Sequence, residues 1–223
     1  MPTDADLDAL LEHIARTLGA PKEWPEPDGY PDSLALCVLD AIWSIGVRYR
    51  GVQNVVAEYR ALRRSAGADP NRDGAVELQD AIAGVGGPEA FADAVHNRQL
   101  TSTHNGLLKA AAVDEACTAL LSSGIATTAD LRSAEGDSLE SVNAAWRGVP
   151  GQGSGISWRY LLLLTGKQEV KPDRMIVGFV EDALGRRPTT DEAADAMTAA
   201  GTRLDVSLRA LDHAAWRHQS GRS

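Results

Sequence analysis

Val149-Pro150-Gly151-Gln152-Gly153-Ser154-Gly155 separates two apolar patterns of helical period. Before it, Leu139, Val142, Ala145 and Trp146 share one helical face, and Gly148 closes that segment. After it, Ile156 to Thr165 carries Tyr160, Leu161, Leu163 and Leu164. Two helices joined by a glycine-rich turn follow from this spacing. Glycines clear side chains from the turn, so its N–H groups and the second helix's N-terminus can come close to an anion. A polar loop opened by Gly166 leads to Val170-Lys171-Pro172-Asp173 and a further helix. Pro172 suits the start of that helix, and Asp173 falls near its N-terminus, where the dipole favours a negative charge.

The same period runs outward in both directions. Leu34, Cys37, Val38, Ala41, Ile42 and Ile45 recur at three and four after a Ser33 cap. Val113, Ala116, Cys117, Leu120 and Leu121 do so before Gly124, and Leu204, Leu208, Leu211 and Ala215 do so near the C-terminus. Strand alternation is absent, and glycine–proline breakers leave about ten short helices. The fold class is all-α, without internal repeats of solenoid period.

Composition narrows the function classes. In 223 residues, 43% are hydrophobic and 24% charged, which fits a globular chain and not a disordered one. The apolar run Leu161–Leu164 is too short for a bilayer, and Asp4, Asp6 and Asp8 stand where an export leader would be basic and then apolar. A cytoplasmic protein is therefore expected. With Cys37 and Cys117 as the only cysteines, neither a disulfide framework nor an all-cysteine metal site is available within the chain. The net charge of −9 argues against general coating of nucleic acid. Locally the balance reverses: Leu139 to Arg187 holds seven basic residues against five acids, and Arg48 to Arg64 holds five arginines against Glu58. On charge alone, either stretch reads as a solvated helix face.

The Val149–Gly153 hairpin together with Val170-Lys171-Pro172-Asp173 resembles the helix-hairpin-helix DNA glycosylases, the endonuclease-III-like superfamily. Eighteen positions separate Gly155 from Asp173, the family's spacing between its lysine position and its aspartate. Leu34 to Tyr59 is similar to the first helices of the family's helical barrel, and Asn105-Gly106-Leu107-Leu108-Lys109-Ala110 to the segment before its central helix. The resemblance implies two lobes with a cleft between them: a helical barrel over 33–166 with its hairpin at 149–155, and a second lobe of 1–32 plus 167–223 that carries Asp173. It implies duplex DNA as partner, a monomer that is nucleoid-associated when on DNA, and hydrolysis of the N-glycosidic bond of a damaged or modified base. Two departures bear on this. Gly155 occupies the lysine position of bifunctional members, which removes the usual Schiff-base nucleophile. The family's C-terminal cluster cysteines are missing, so no iron–sulfur cluster or other cofactor is expected.

The implied chemistry gives each residue a role. Asp173 stabilises the oxocarbenium-like sugar and orients or deprotonates water. Gly151, Gly153 and Gly155 grip a phosphate, with Arg48, Arg50 and Arg174 as further phosphate contacts. Trp43, Tyr49 and Trp158 are candidates for a base pocket or a duplex wedge, against the ordinary alternative of core aromatics. Simpler alternatives stand beside these: a glycine loop as mere punctuation, Asp173 as a helix cap, and a non-catalytic hairpin protein that binds DNA or a protein partner. The pattern argues against a nucleotide-phosphate loop, because the glycines follow a helix and no Lys-Ser/Thr pair closes the motif. Asp69-Pro70-Asn71-Arg72-Asp73-Gly74 resembles the start of an EF-hand loop, but Asp80 replaces the usual glutamate and no second hand is present. It reads as a polar inter-helix turn. His213 has no second ligand spaced to share a metal, so no metal site is expected.

Overall fold

The computed structural model describes residues 2–26, 28–47 and 49–221. Among these residues the chain is all-helical, with twelve α-helices and no strand; the only pairing of extended backbone is an isolated bridge between Leu100 and Leu108. None of the described helices is long and apolar enough to cross a membrane. The helices start where short polar side chains satisfy the first free N–H groups. Thr3, Ser33, Thr127, Asp173, Thr189 and Ser207 each accept a hydrogen bond from a first-turn amide. Gly166 and Gly185 close two of the helices in the left-handed conformation.

The chain divides into two compact units, residues 29–167 and residues 1–28 together with 168–223. The first holds α2 (Leu34–Trp43), α3 (Tyr49–Ser65), α4 (Ala75–Gly84), α5 (Pro88–Ala94), α6 (Lys109–Ser122), α7 (Thr128–Ser133), α8 (Gly136–Gly148) and α9 (Ile156–Thr165). All ten residues of α2 are buried, and it packs against α3, α4, α6 and α9. A helix apolar on every side belongs at the centre of its neighbours. Trp43, Trp146, Tyr59 and Phe91 are the largest enclosed side chains of this unit.

The second unit holds α1 (Asp4–Thr17), α10 (Arg174–Leu184), α11 (Thr190–Leu204) and α12 (Leu208–Gln219). Here α10 packs against the other three, around Ile176, Phe179, Val180, Met197 and Leu211. His13 on α1 meets the Phe179 ring edge-on at 4.7 Å, and Phe179 meets His218 at 5.9 Å. Burial lowers the pKa of His13, with Arg16 and His218 acting in the same direction.

Candidate functional site

In the hairpin, α8 ends at Gly148, and Val149 leads into a turn with Gly151 at φ +84° and Gly155 at φ +76°. The turn is closed from within. Gln152 N–H donates to the Val149 carbonyl (3.0 Å) and Gly155 N–H to the Gln152 carbonyl (3.1 Å). Arg147 reaches across and donates twice to the Gly153 carbonyl, from Nε at 3.1 Å and Nη2 at 2.9 Å. Below the turn, the buried Trp146 donates from Nε1 to Ser157 Oγ (3.0 Å) and packs 6.3 Å from Trp158. This buried pair fixes the angle at which α8 meets α9.

That geometry separates the three glycines. Gly151 and Gly153 are exposed, and no acceptor among the described residues takes either N–H. Gly155 differs, because its N–H is already bonded inside the turn. The expectation that it joins a phosphate grip is corrected accordingly: Gly155 supplies the left-handed residue at the start of α9. Beside Gly151 lies an open groove of about 470 Å³, bounded by Thr101, Ser102, Asn105, Gly106, Pro150 and Gly151. A Cβ on Gly151 would come within 2.6 Å of Thr101 Cβ, so this loop rests directly on the hairpin.

The proposed aromatic wall is not arranged as expected. Trp43 has no exposed surface and Trp158 is 5% exposed, so both are core residues and neither presents a ring to a base. The wedge assignment fails for both for one reason: α2 and the start of α9 are enclosed on the sides that carry them. Tyr49 is half-buried and donates from its hydroxyl to Asp40 Oδ2 (3.2 Å), which Tyr30 also reaches (2.9 Å) and Tyr160 joins. Burial raises all three phenols, with Asp40 adding to the shift, and pushes Tyr49 up to about 12. Arg60 stacks over the Tyr30 ring at 5.5 Å. Arg50 on α3 and Arg174 at the start of α10 are exposed, as a phosphate contact requires; Arg48 lies outside the described residues.

Asp173, in the second unit, caps α10. Its Oδ1 accepts from Met175 N–H (2.8 Å) and Ile176 N–H (3.2 Å), and the residue is half-buried. No donor among the described residues takes its second oxygen. The residue is thus both a cap and a carboxylate with one oxygen uncommitted. The preceding loop is tied down by Asp212 on α12, whose Oδ1 accepts from Lys171 N–H at 2.8 Å. Asp212 is 7% exposed, and its pKa is pushed up to about 7, chiefly by burial and further by the charge on Asp173.

Sequence reasoning misses four buried ionic groups, Asp40, Asp73, Lys109 and Asp212. Asp73 accepts from Tyr59 Oη (2.7 Å) and from Arg63 Nε (2.7 Å) and Nη2 (3.1 Å), so the fifth position of the EF-hand-like loop is turned inward. Lys109 donates from Nζ to the carbonyls of Trp43 (3.0 Å) and Ile45 (2.7 Å) past the end of α2, and burial lowers its pKa to about 8. Asp40 and Asp212 each interrupt an apolar helix face, and that interruption was the available signal. No group of three or more metal-ligating side chains occurs among the described residues, and His213 stacks on Trp216 at 6.2 Å.

No curated protein and no solved structure matches the chain. One family model, described as Domain of unknown function (DUF8548), matches residues 8–220. That span takes in every helix of both units except the first turn of α1, so the chain belongs to the DUF8548 family.

Proposed function

We propose that this protein is a monofunctional DNA glycosylase of the helix-hairpin-helix type, with Asp173 as its catalytic carboxylate. The observation that carries the proposal is the state of Asp173: one oxygen anchored by two helix N–H groups, the other uncommitted, at a half-buried position. A fixed carboxylate of this kind stabilises positive charge developing on a deoxyribose without reorganising during the reaction. It can also accept a hydrogen bond from the attacking water. The exposed N–H groups of Gly151 and Gly153 support the partner assignment, since bare amides on a rigid turn suit a phosphate oxygen. Arg50 and Arg174 add exposed cations. Gly155 leaves no lysine for Schiff-base chemistry at that position, so the product is an abasic site and the strand stays intact.

A second reading is favoured by the burial of Trp43 and Trp158, which withdraws two aromatic pocket walls. In it the hairpin binds DNA phosphates and no bond is cut. Incubation with duplexes carrying a broad panel of alkylated, oxidised, deaminated and mismatched bases separates the two. Base release by the wild type supports the glycosylase; salt-sensitive binding without release across the panel supports the clamp. Absence of DNA binding at low salt removes both.

A further inference from the structure

The buried carboxyl of Asp212 has no role in the chemistry above, and its surroundings give it one. Three consecutive residues before α10 have few ways to hold their backbone. Lys171 N–H donates to Asp212, Pro172 has no N–H, and Asp173 N–H turns back to the Lys171 carbonyl at 2.7 Å. The bond from Asp212 therefore grips, from α12, the turn that ends in Asp173. The cap bonds to Met175 and Ile176 then fix one oxygen of Asp173 on α10. Between them, α12 and α10 hold the turn from both ends.

We propose that Asp212 is a positioning residue for Asp173: its buried carboxyl holds the Lys171–Pro172–Asp173 turn through the Lys171 N–H and couples electrostatically to the Asp173 carboxylate. This rests on the assignment of Asp173 above. The charged groups that act on Asp212 are Asp173, Lys171 and Glu169, all on the loop that it holds; Lys171 favours its charged form, and the two acids oppose it. An asparagine at 212 keeps the accepting oxygen and removes the charge. An alanine removes both.

The test is carboxyl-carbon NMR titration of the full chain with labelled aspartate, together with amide hydrogen exchange at Lys171, in the wild type, Asp212→Asn and Asp212→Ala. The wild-type Asp173 resonance is expected to move near neutral pH as Asp212 ionises, and Asp212→Asn to abolish that response. Lys171 exchange is expected to stay within about threefold of wild type in Asp212→Asn and to rise at least tenfold in Asp212→Ala, the loss of one protecting bond. Superimposable Asp173 curves in the wild type and Asp212→Asn overturn the proposal, and they do so even where the alanine variant fails to fold. The base-release rate is read in parallel on the same samples. Its pH profile should lose an inflection near 7 in Asp212→Asn, with kcat restored relative to Asp212→Ala. A wild type that releases no base from any lesion overturns the glycosylase assignment alone, since the NMR coupling is measured without it. Release with a pH profile identical in the wild type and Asp212→Asn overturns the positioning role alone.

Discussion

Alanine substitutions at the hairpin glycines separate the fold from its proposed use. Gly151 sits at φ +84°, where a side chain costs about 1–2 kcal/mol, and its added Cβ would lie 2.6 Å from Thr101 Cβ. Relief of that overlap requires the hairpin or the Thr101 loop to move, at a further cost of about 1–3 kcal/mol. Gly151→Ala should therefore destabilise the protein by about 2–5 kcal/mol. Gly155 has the same backbone strain at φ +76° but only ordinary contact, with Arg147 at 3.7 Å, so Gly155→Ala should cost about 1–2 kcal/mol. Gly153 lies outside the left-handed region, and its nearest neighbour is the Arg147 carbonyl at 3.9 Å. Gly153→Ala should leave stability unchanged or raise it by up to about 1 kcal/mol through the unfolded chain. It nonetheless adds a methyl group at the exposed turn, where a phosphate would approach. Urea unfolding gives the stability order, and fluorescence anisotropy with a short duplex at low salt gives affinity. The expected result is Gly153→Ala as stable as wild type with DNA affinity reduced at least fivefold, about 1 kcal/mol. Equal affinity for wild type and Gly153→Ala would refute the phosphate grip, and a Gly151→Ala within about 0.5 kcal/mol of wild type would refute the packing argument.

Asp212→Asn should change how stability depends on pH. The folded pKa of about 7 lies above the ordinary 3.8, so ionisation opposes folding as pH rises between those values. At about 1.36 kcal/mol per unit, the variant gains up to about 4 kcal/mol at pH 8 and nothing below pH 3.8; urea midpoints at pH 3.5 and 8 check this. Asp73→Ala leaves Arg63 uncompensated beside a carboxylate site that is 5% exposed and should cost about 3–5 kcal/mol, while millimolar calcium should leave the wild-type Tm unchanged. Trp43→Ala should cost about 3–5 kcal/mol as a core deletion, read by thermal unfolding; a fully stable variant with impaired DNA binding would instead restore its assignment as a wedge.

The all-helical class was legible because burial leaves a repeating pattern. Ser33 reads as a cap, and its Oγ accepts from Leu36 N–H; Gly124 reads as a stop, and α6 ends just before it. The hairpin helices were legible for the same reason, and Gly151 and Gly155 mark turn positions that only glycine takes comfortably. The error over Trp43 has a clear origin. Leu34-Ala35-Leu36-Cys37-Val38-Leu39 leaves α2 no polar side, and a helix of that kind has no exposed face on which to present a ring. Acidic residues were harder, because a charged residue read in sequence is taken to face water. Asp40, Asp73 and Asp212 escape that rule through partners 10 to 41 residues away in the chain: Tyr30, Arg63 and the Lys171 amide. Such pairings form only when the helices pack, so no local spacing announces them. Which Gly N–H groups are bonded within the turn is likewise decided by its dihedral angles, and this is why Gly155 reads as a donor in sequence and is a spent one in the fold.

The central claim is that the uncommitted oxygen of Asp173 acts on the sugar of a damaged nucleotide. Its most direct test is single-turnover formation of abasic sites in a lesion-bearing duplex by wild type and Asp173→Asn, with DNA affinity measured on the same preparations. Asparagine retains the capping oxygen, so the variant should fold and bind DNA within about twofold of wild type while base release falls at least a hundredfold, about 2.7 kcal/mol in the barrier. Release by Asp173→Asn at the wild-type rate would contradict the claim.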